Sequence, residues 1–176
     1  MMSAPAPSKI KAVSVKIPDL KVDTFVRLTP PDPDFTLFLA ELYEIGTEID
    51  PITVTRSMRV IDGRTRIEAS ILARKESINA IIVDDMPRKE MLSRAVNANL
   101  GGSRPPSARD IVFSLEALLQ AGASQKWIID NTNLPRSVTD KYLFSARRNI
   151  MSRKVAQARQ AIAERGLTIE QAANEF

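Results

Sequence analysis

Gly63-Arg64-Thr65-Arg66 sets a glycine, a hydroxyl and two guanidiniums side by side. At the N-terminus of a helix such a group suits an anion: free backbone N–H groups and the helix dipole favour negative charge, and an arginine can grip two phosphate oxygens at once. Gly101-Gly102-Ser103-Arg104 offers a second flexible, cationic loop. A glycine before a helix is also an ordinary way to end a strand, so these residues alone leave phosphate binding and plain punctuation both open. A third group is electrostatic. From Arg136 to Arg159 the basic residues are Arg136, Lys141, Arg147, Arg148, Arg153, Lys154 and Arg159, against the single acid Asp140. Such a run either neutralises nucleic-acid phosphates or forms a solvated helical face. The chain has no cysteine and no histidine, which removes thiol chemistry, disulfides, zinc sites built on sulfur or imidazole, and Ser-His or Cys-His catalysis.

The elements that must position these residues can be read from periodicity. Val13, Val15 and Ile17 alternate with Ser14 and Lys16, as in a half-buried strand. Beyond a proline-rich break at Thr29 to Asp34, Phe35, Phe38, Leu42 and Ile45 recur at helical spacing, and Gly46 stops the run. Pro51 opens the extended stretch Ile52-Thr53-Val54-Thr55, and Val60-Ile61 reads as the next strand, closed by Asp62-Gly63. Arg64 to Lys75 carries Ile67, Ala69, Ile71, Leu72 and Ala73 on a helix, Ile78 to Val83 is a further β-rich run, and Pro87 starts a helix through Asn97. The first hundred residues therefore read as a small α/β unit, with Gly63 to Arg66 at a strand-to-helix junction.

The stretch from Gly101 to Pro106 breaks the pattern, and the chain beyond it is helical. Ser107 and Asp110 have the spacing of a capping box, and Ile111, Val112, Leu115, Leu118 and Leu119 form the buried stripe of a helix ended by Gly122. Ser124 caps a short helix bearing Trp127, Ile128 and Ile129. Asn131-Thr132-Asn133 makes a tight turn, and Pro135 begins another helix with Val138, Tyr142 and Leu143 inward. A short helix, a tight turn and a second helix can present the start of that second helix to a DNA major groove. The expected contacts with double-stranded DNA are Arg136, Ser137, Thr139, Asp140 and Lys141 on the second helix, Ser124, Gln125 and Lys126 at the start of the first, and Arg147 and Arg148 on phosphates. Leu118 to Thr132 has a weaker echo at Ile162 to Phe176, where Gly166 matches Gly122 and Thr168 matches Ser124. A further helix-turn-helix cut off by the end of the sequence and a coincidence of helix-boundary residues both account for it.

The composition fits this picture. Of 176 residues 44% are apolar but only 5% aromatic, so the core must be Ile, Leu, Val and Ala, which suits helices over a small sheet. The formal net charge of +4 leans towards an anionic partner. Met1 to Ser14 lacks an apolar run, so the expectation is no membrane partner and a cytoplasmic, nucleoid-associated location. The expected class is α+β: a flexible tail over 1–11, an α/β domain over 12–100, a helix-turn-helix domain over 101–150, and C-terminal helices over 151–176.

The order Val13-x-Val15-x-Ile17, a helix ending near Gly46, Pro51-Ile52-x-Val54, Val60-Ile61-Asp62-Gly63-x-x-Arg66-x-x-Ala69, then Asn99-Leu100 before a helix-turn-helix resembles the ParB partition-protein family over residues 10 to 145. The resemblance implies a ParB/sulfiredoxin-like domain that binds a nucleoside triphosphate, typically CTP with Mg2+, and uses it to close a dimeric clamp on DNA. It implies that Gly63, Arg64, Thr65 and Arg66 hold phosphates with help from Asn99 and Gly101 to Arg104, that Asn99 also assists the metal, and that a homodimer and a partition ATPase are the protein partners. The chain departs from the family where Ala98 replaces the glutamate of its Glu-Asn-x-x-Arg box and Gly102 replaces the arginine, with Arg104 two residues on as a stand-in. Any enzymatic activity is thus at most weak triphosphate hydrolysis, with no catalytic residue assigned. Arg64-Thr65 stands where sulfiredoxins carry their cysteine, which sets that activity aside. The sequence ends before the family's usual C-terminal dimerisation module could fit. Two other readings stay open: a nucleotide-independent helix-turn-helix transcriptional regulator, and a ParB-fold nuclease or small-molecule kinase using Asp62 or Glu68.

Overall fold

The computed structural model describes residues 11–101 and 105–176, and the element order is that of a mixed sheet followed by helices. Four strands, β1 (Val13–Lys16), β2 (Ile52–Thr55), β3 (Val60–Asp62) and β4 (Ser77–Val83), form one sheet in the order β1-β4-β2-β3. β4 runs antiparallel to β1, with Val15 opposite Ile78, and parallel to β2, with Ile52 opposite Ala80. β3 returns antiparallel to β2 through the tight turn at Arg56 to Arg59, in which Met58 has φ 62°. Ser57 donates to Asp85 from both its N–H and its hydroxyl, and these bonds hold the Asp85 carboxyl below the usual carboxylate range. Alternation sends Val15, Ile52, Val54, Val60, Ile78 and Ala80 into one core with Ile67.

Two helices of this first unit flank the candidate site. α1 (Pro33–Glu44) starts at Asp32, whose carboxylate accepts from the amides of Asp34 and Phe35, and α2 (Arg64–Leu72) packs beside it, with Leu39, Ala40 and Ala69 buried together. α2 stops three residues short of the predicted Lys75. Ala73 closes it, Arg74 takes φ 51°, and Lys75 N–H donates back to the Ser70 carbonyl at 2.9 Å, a left-handed helix ending made without glycine.

Gly63 joins β3 to α2 at φ +115°, and a Cβ there would lie 2.7 Å from the Cβ of Ile52, overlapping its side chain. The glycine thus allows the helix to start directly against the central strand.

The chain divides into two units: Met1–Phe25 with Thr29–Ala95, and Val26–Leu28 with Val96–Phe176. The division falls inside α3 (Arg88–Leu100). The second unit contains α4 (Ala108–Gln120), α5 (Gln125–Asn131), α6 (Arg136–Arg165) and α7 (Ile169–Glu175). The capping box at Ser107 and Asp110 is formed, and Leu115 and Leu118 of α4, Ile128 of α5, and Leu143 and Ala146 of α6 are buried.

Two carboxylates on α4 are also buried. Asp110 accepts from the Leu28 amide at 3.0 Å and from the Ser107 amide and hydroxyl, while Ser114 donates its hydroxyl to the Val26 carbonyl at 2.5 Å. Glu116 accepts from Asn149 at 2.7 Å and Arg153 at 2.6 Å. These bonds fasten α4 to a three-residue strap and to the middle of α6.

α6 is 30 residues long and runs unbroken across the boundary at residue 150 that periodicity suggested. Gly166 ends it in a left-handed conformation, Thr168 and Gln171 form a capping box for α7, and Arg165 pairs with Glu175 to join the two helices. Among the described residues no helix is long and apolar enough to cross a membrane. The predicted tail falls almost entirely within residues 1–10, outside the described residues.

Two substitutions probe this packing. Gly63→Ala adds a steric overlap and a disfavoured φ, so it should destabilise the first unit by about 2–4 kcal/mol, measured as a lower urea midpoint at unchanged slope. Arg153→Ala leaves the buried Glu116 carboxylate with one of its two donors and should cost the second unit about 1–3 kcal/mol, whereas Lys154→Ala, one residue on and exposed, should leave the midpoint within error.

Candidate functional site

The helix end at Gly63 lies at the strand-to-helix junction read from the sequence. The first intrahelical bond of α2 runs from the Ile67 amide to the Gly63 carbonyl, so the amides of Arg64 to Arg66 belong to the open helix end that favours an anion. The side chains there divide. Arg66 is turned into the fold: it donates to the carbonyls of Asp50 at 2.9 Å and Pro51 at 2.7 Å and pairs with Asp62 at 2.6 Å. It ties the entry of β2 to the first turn of α2, a structural task the sequence did not announce. Arg64 pairs with Glu68 at 2.9 Å and lies over the Phe25 ring, 5.2 Å from its centre, in a partly exposed position from which a long side chain can swing. Thr65 is half-buried. Asp62 contributes a carboxylate beside the helix end, which works against an anion.

Two of the other predicted phosphate residues, Asn99 and Gly101, belong to the second unit. Asn99 lies one residue before the end of α3, its carbonyl accepting from Arg27 at 3.2 Å, and Gly101 follows the helix. Gly102, Ser103 and Arg104 lie outside the described residues. Among the described residues no three acidic side chains gather into a metal-holding cluster. The helix end therefore suits a phosphate through its amides, Arg64 and Thr65, and carries no metal-ligand set of its own.

The helix-turn-helix is built as its caps predict. The Ser124 hydroxyl accepts from the Trp127 amide at 3.1 Å and fixes the start of α5, so this predicted DNA-contacting side chain also has a structural task. At the turn Thr132 is buried and donates to the Ile128 carbonyl. Asn97, near the end of α3, braces the same turn by accepting from the Asn133 amide at 2.7 Å and donating to the Asn131 carbonyl at 3.3 Å. No sequence signal marked Asn97, because its partners are 34 and 36 residues away.

α6 begins after Pro135 and presents Arg136, Ser137, Asp140 and Lys141 to solvent. A polar network links the two helices here: Gln125 donates to Asp140 at 3.0 Å, Arg136 lies 3.7 Å from the same carboxylate, and Arg147 donates to the Gln125 side-chain amide oxygen at 3.5 Å. Lys141 lies over the Tyr142 ring, 5.1 Å from its centre, and Lys126 pairs with Asp130. Arg147 and Arg148 are exposed one to two turns further on.

One predicted contact is overturned. Thr139 is fully buried and its hydroxyl lacks a partner, so it cannot reach a groove. The helix is turned by about one residue from the expected phase. In the first three turns the buried positions are Thr139, Leu143 and Ala146, spaced by four and three, while Val138 and Tyr142, assigned to the core from sequence, are only half-buried.

No family model matches the sequence, and no curated protein does. The fold does have solved counterparts. A pNOB8-like ParB-N domain matches with TM-score 0.50 and 18% identity over 69% of this chain and 49% of its own. A second pNOB8-like ParB N-domain structure matches with TM-score 0.50 and 17% identity over 77% of this chain and 57% of its own. This chain thus spans about half the length of those two. The C-terminally truncated chromosome-partitioning protein ParB from Caulobacter crescentus, in complex with the centromeric parS site, matches with TM-score 0.50 and 16% identity over 91% of this chain and 96% of its own. The chain therefore has a ParB-like fold, as the order of its sequence motifs implies.

Because the Thr139 hydroxyl is buried without a partner, Thr139→Val should raise stability by up to about 1 kcal/mol, read as a higher midpoint in thermal melts.

Proposed function

We propose that this chain is a ParB-like, sequence-specific DNA-binding protein acting in plasmid or chromosome partition or in transcriptional control. The observation that carries this reading is the start of α6: Arg136, Ser137 and Lys141 are exposed on a helix whose opposite face is held by α4, and α5 and Asn97 fix the turn before it. Arginine and lysine there can donate to guanine acceptors, and Arg147 and Arg148 are spaced to meet phosphates beyond the groove. The fold match to a ParB bound to its centromeric site supports the same use of the helices. On this reading the protein acts on duplex DNA in the cytoplasm at the nucleoid, as a homodimer, with a partition ATPase as a further partner.

Nucleotide gating is the second half of the proposal. CTP or another nucleoside triphosphate would place phosphates at the N-terminus of α2, held by the amides there with Arg64 and Thr65, and bound Mg2+ would supply charge neutralisation. In this arrangement Arg66 positions the site by anchoring β2 against α2. A nucleotide-independent regulator is the alternative, favoured by one observation: Asp62 and two carbonyls already meet the Arg66 guanidinium. The nuclease or kinase reading weakens, since its two candidate carboxylates, Asp62 and Glu68, are paired with Arg66 and Arg64.

DNA retention measured on a fragment panel at two salt concentrations tests the first half. Arg136→Ala should cost about 1–3 kcal/mol on the best site and relax selection at one base position, whereas Arg147→Ala should weaken all fragments alike and flatten the dependence of log K on log salt by about one. Equal affinity for every fragment would remove sequence specificity from the assignment. Calorimetry with CTP and Mg2+ tests the second half: gating predicts a heat signal that Arg64→Ala reduces, and silence together with unchanged DNA retention would favour the nucleotide-independent regulator.

A further inference from the structure

Beyond its first two turns, α6 carries a surface that DNA binding does not explain. Phe144, Met151 and Val155 are 72%, 62% and 43% exposed, far more than residues of their type in a packed helix. At 3.6 residues per turn they fall within a sector of about 40° on the side opposite the buried stripe of Thr139, Leu143 and Ala146. Arg147 and Lys154 lie along one side of this apolar spine, and Arg148 and Arg159 along the other. Phe144, Met151 and Val155, with the arginines beside them, line a shallow groove on the surface of α6. From Lys141 to Ala163 the sequence contains no acid.

Three occupants can be compared. A phosphate backbone would satisfy the arginines but gains nothing from a phenylalanine, a methionine and a valine. Val155 also lies about 28 Å along the helix from Arg136, beyond the reach of a helix end seated in a groove about 8.5 Å deep. A second copy of α6 would bring cationic rows against cationic rows, a like-charge arrangement that opposes pairing. An amphipathic helix with an apolar stripe bordered by carboxylates satisfies both features at once: its apolar side covers the spine and its acids meet the arginines on each flank.

We infer that the outer face of α6 from Phe144 to Arg159 is a docking surface for an acidic amphipathic helix of a partner protein. Phe144 to Val155 spans about 16 Å, so the docking helix needs about three turns. The base-contacting residues at the start of α6 stay outside this span, but Arg147 and Arg148, the proposed phosphate contacts, lie inside it, so a docked partner competes with DNA for those two arginines.

The test uses the full chain and a dye-labelled, helix-forming peptide of about three turns with leucines on one face flanked by glutamates, compared with one flanked by lysines. Fluorescence anisotropy without DNA should show the glutamate-flanked peptide binding at least tenfold more tightly. The double variant Phe144→Ser/Met151→Ser removes exposed side chains only; it should weaken that binding at least tenfold while leaving the thermal midpoint in place. Arg147→Ser/Arg148→Ser should weaken it and reduce its salt dependence. Equal binding of both peptides, or no effect of the Phe144/Met151 pair, overturns the proposal. A concentration-dependent dimer in sedimentation that Met151→Glu abolishes would give the face to a second copy, and binding to phosphatidylserine vesicles lost on Phe144→Ser would give it to a membrane surface; either overturns it too.

Discussion

A carboxylate taken out of water has to be met by donors, and α4 carries two such groups, at Asp110 and Glu116. The donors come from segments far apart in sequence. Asp110 is met by the amide of Leu28 and by its own capping serine, Glu116 by Asn149 and Arg153 on α6. An apolar stripe alone would leave α4 free to slide or rotate by a fraction of a turn. The two acids remove that freedom, because a small displacement would strand a charge. Leu115 and Leu118 then face a fixed partner, and α6 is held near its middle.

The same economy of means appears at the junction of β3 and α2. A missing side chain at Gly63 lets the helix start against Ile52, and an arginine one turn later secures the backbone that enters β2. A glycine followed by an arginine three residues on has two physical uses, cradling a phosphate and bracing a strand-to-helix corner. Here the bracing is complete in the side-chain contacts of Arg66, which moves the burden of any anion contact to the helix-end amides and Arg64.

Local signals were the legible ones. Alternation from Val13, the stop at Gly46, and the caps at Ser107 and Ser124 each act within a few residues, and the corresponding elements form there, although β1 ends at Lys16 and Ile17 opens a 3-10 turn. The features that stayed hidden depend on distant partners. The inward side of α6 differs by about one residue from the expected one because Val138 and Tyr142 are larger and more apolar than Thr139, yet it is Thr139 that packs fully inside. The continuation of α6 past residue 150 was hidden for a similar reason: its polar second half shows little periodicity, and Glu116, whose partners lie 33 and 37 residues further along, clasps it. In the candidate sites, charge and capping identified the cationic start of α6 and the helix end at Gly63, but not the bracing by Asn97 or the inward turn of Arg66. Both rest on contacts with residues remote in sequence.

The strap of Val26 to Leu28 has a consequence for how the chain comes together. Three residues that precede α1 complete the second unit, bonded to α4 at separations of 82 and 88 residues. The helical unit is therefore not a contiguous module: a fragment beginning after α3 would lack part of its own structure and expose the Asp110 carboxylate and the Ser114 hydroxyl that the strap engages. During synthesis the strap leaves the ribosome long before α4 exists, so it must wait unpaired while the sheet assembles around the residues on either side. The strap side of the second unit can close only once α4 arrives to meet a segment made some eighty residues before it.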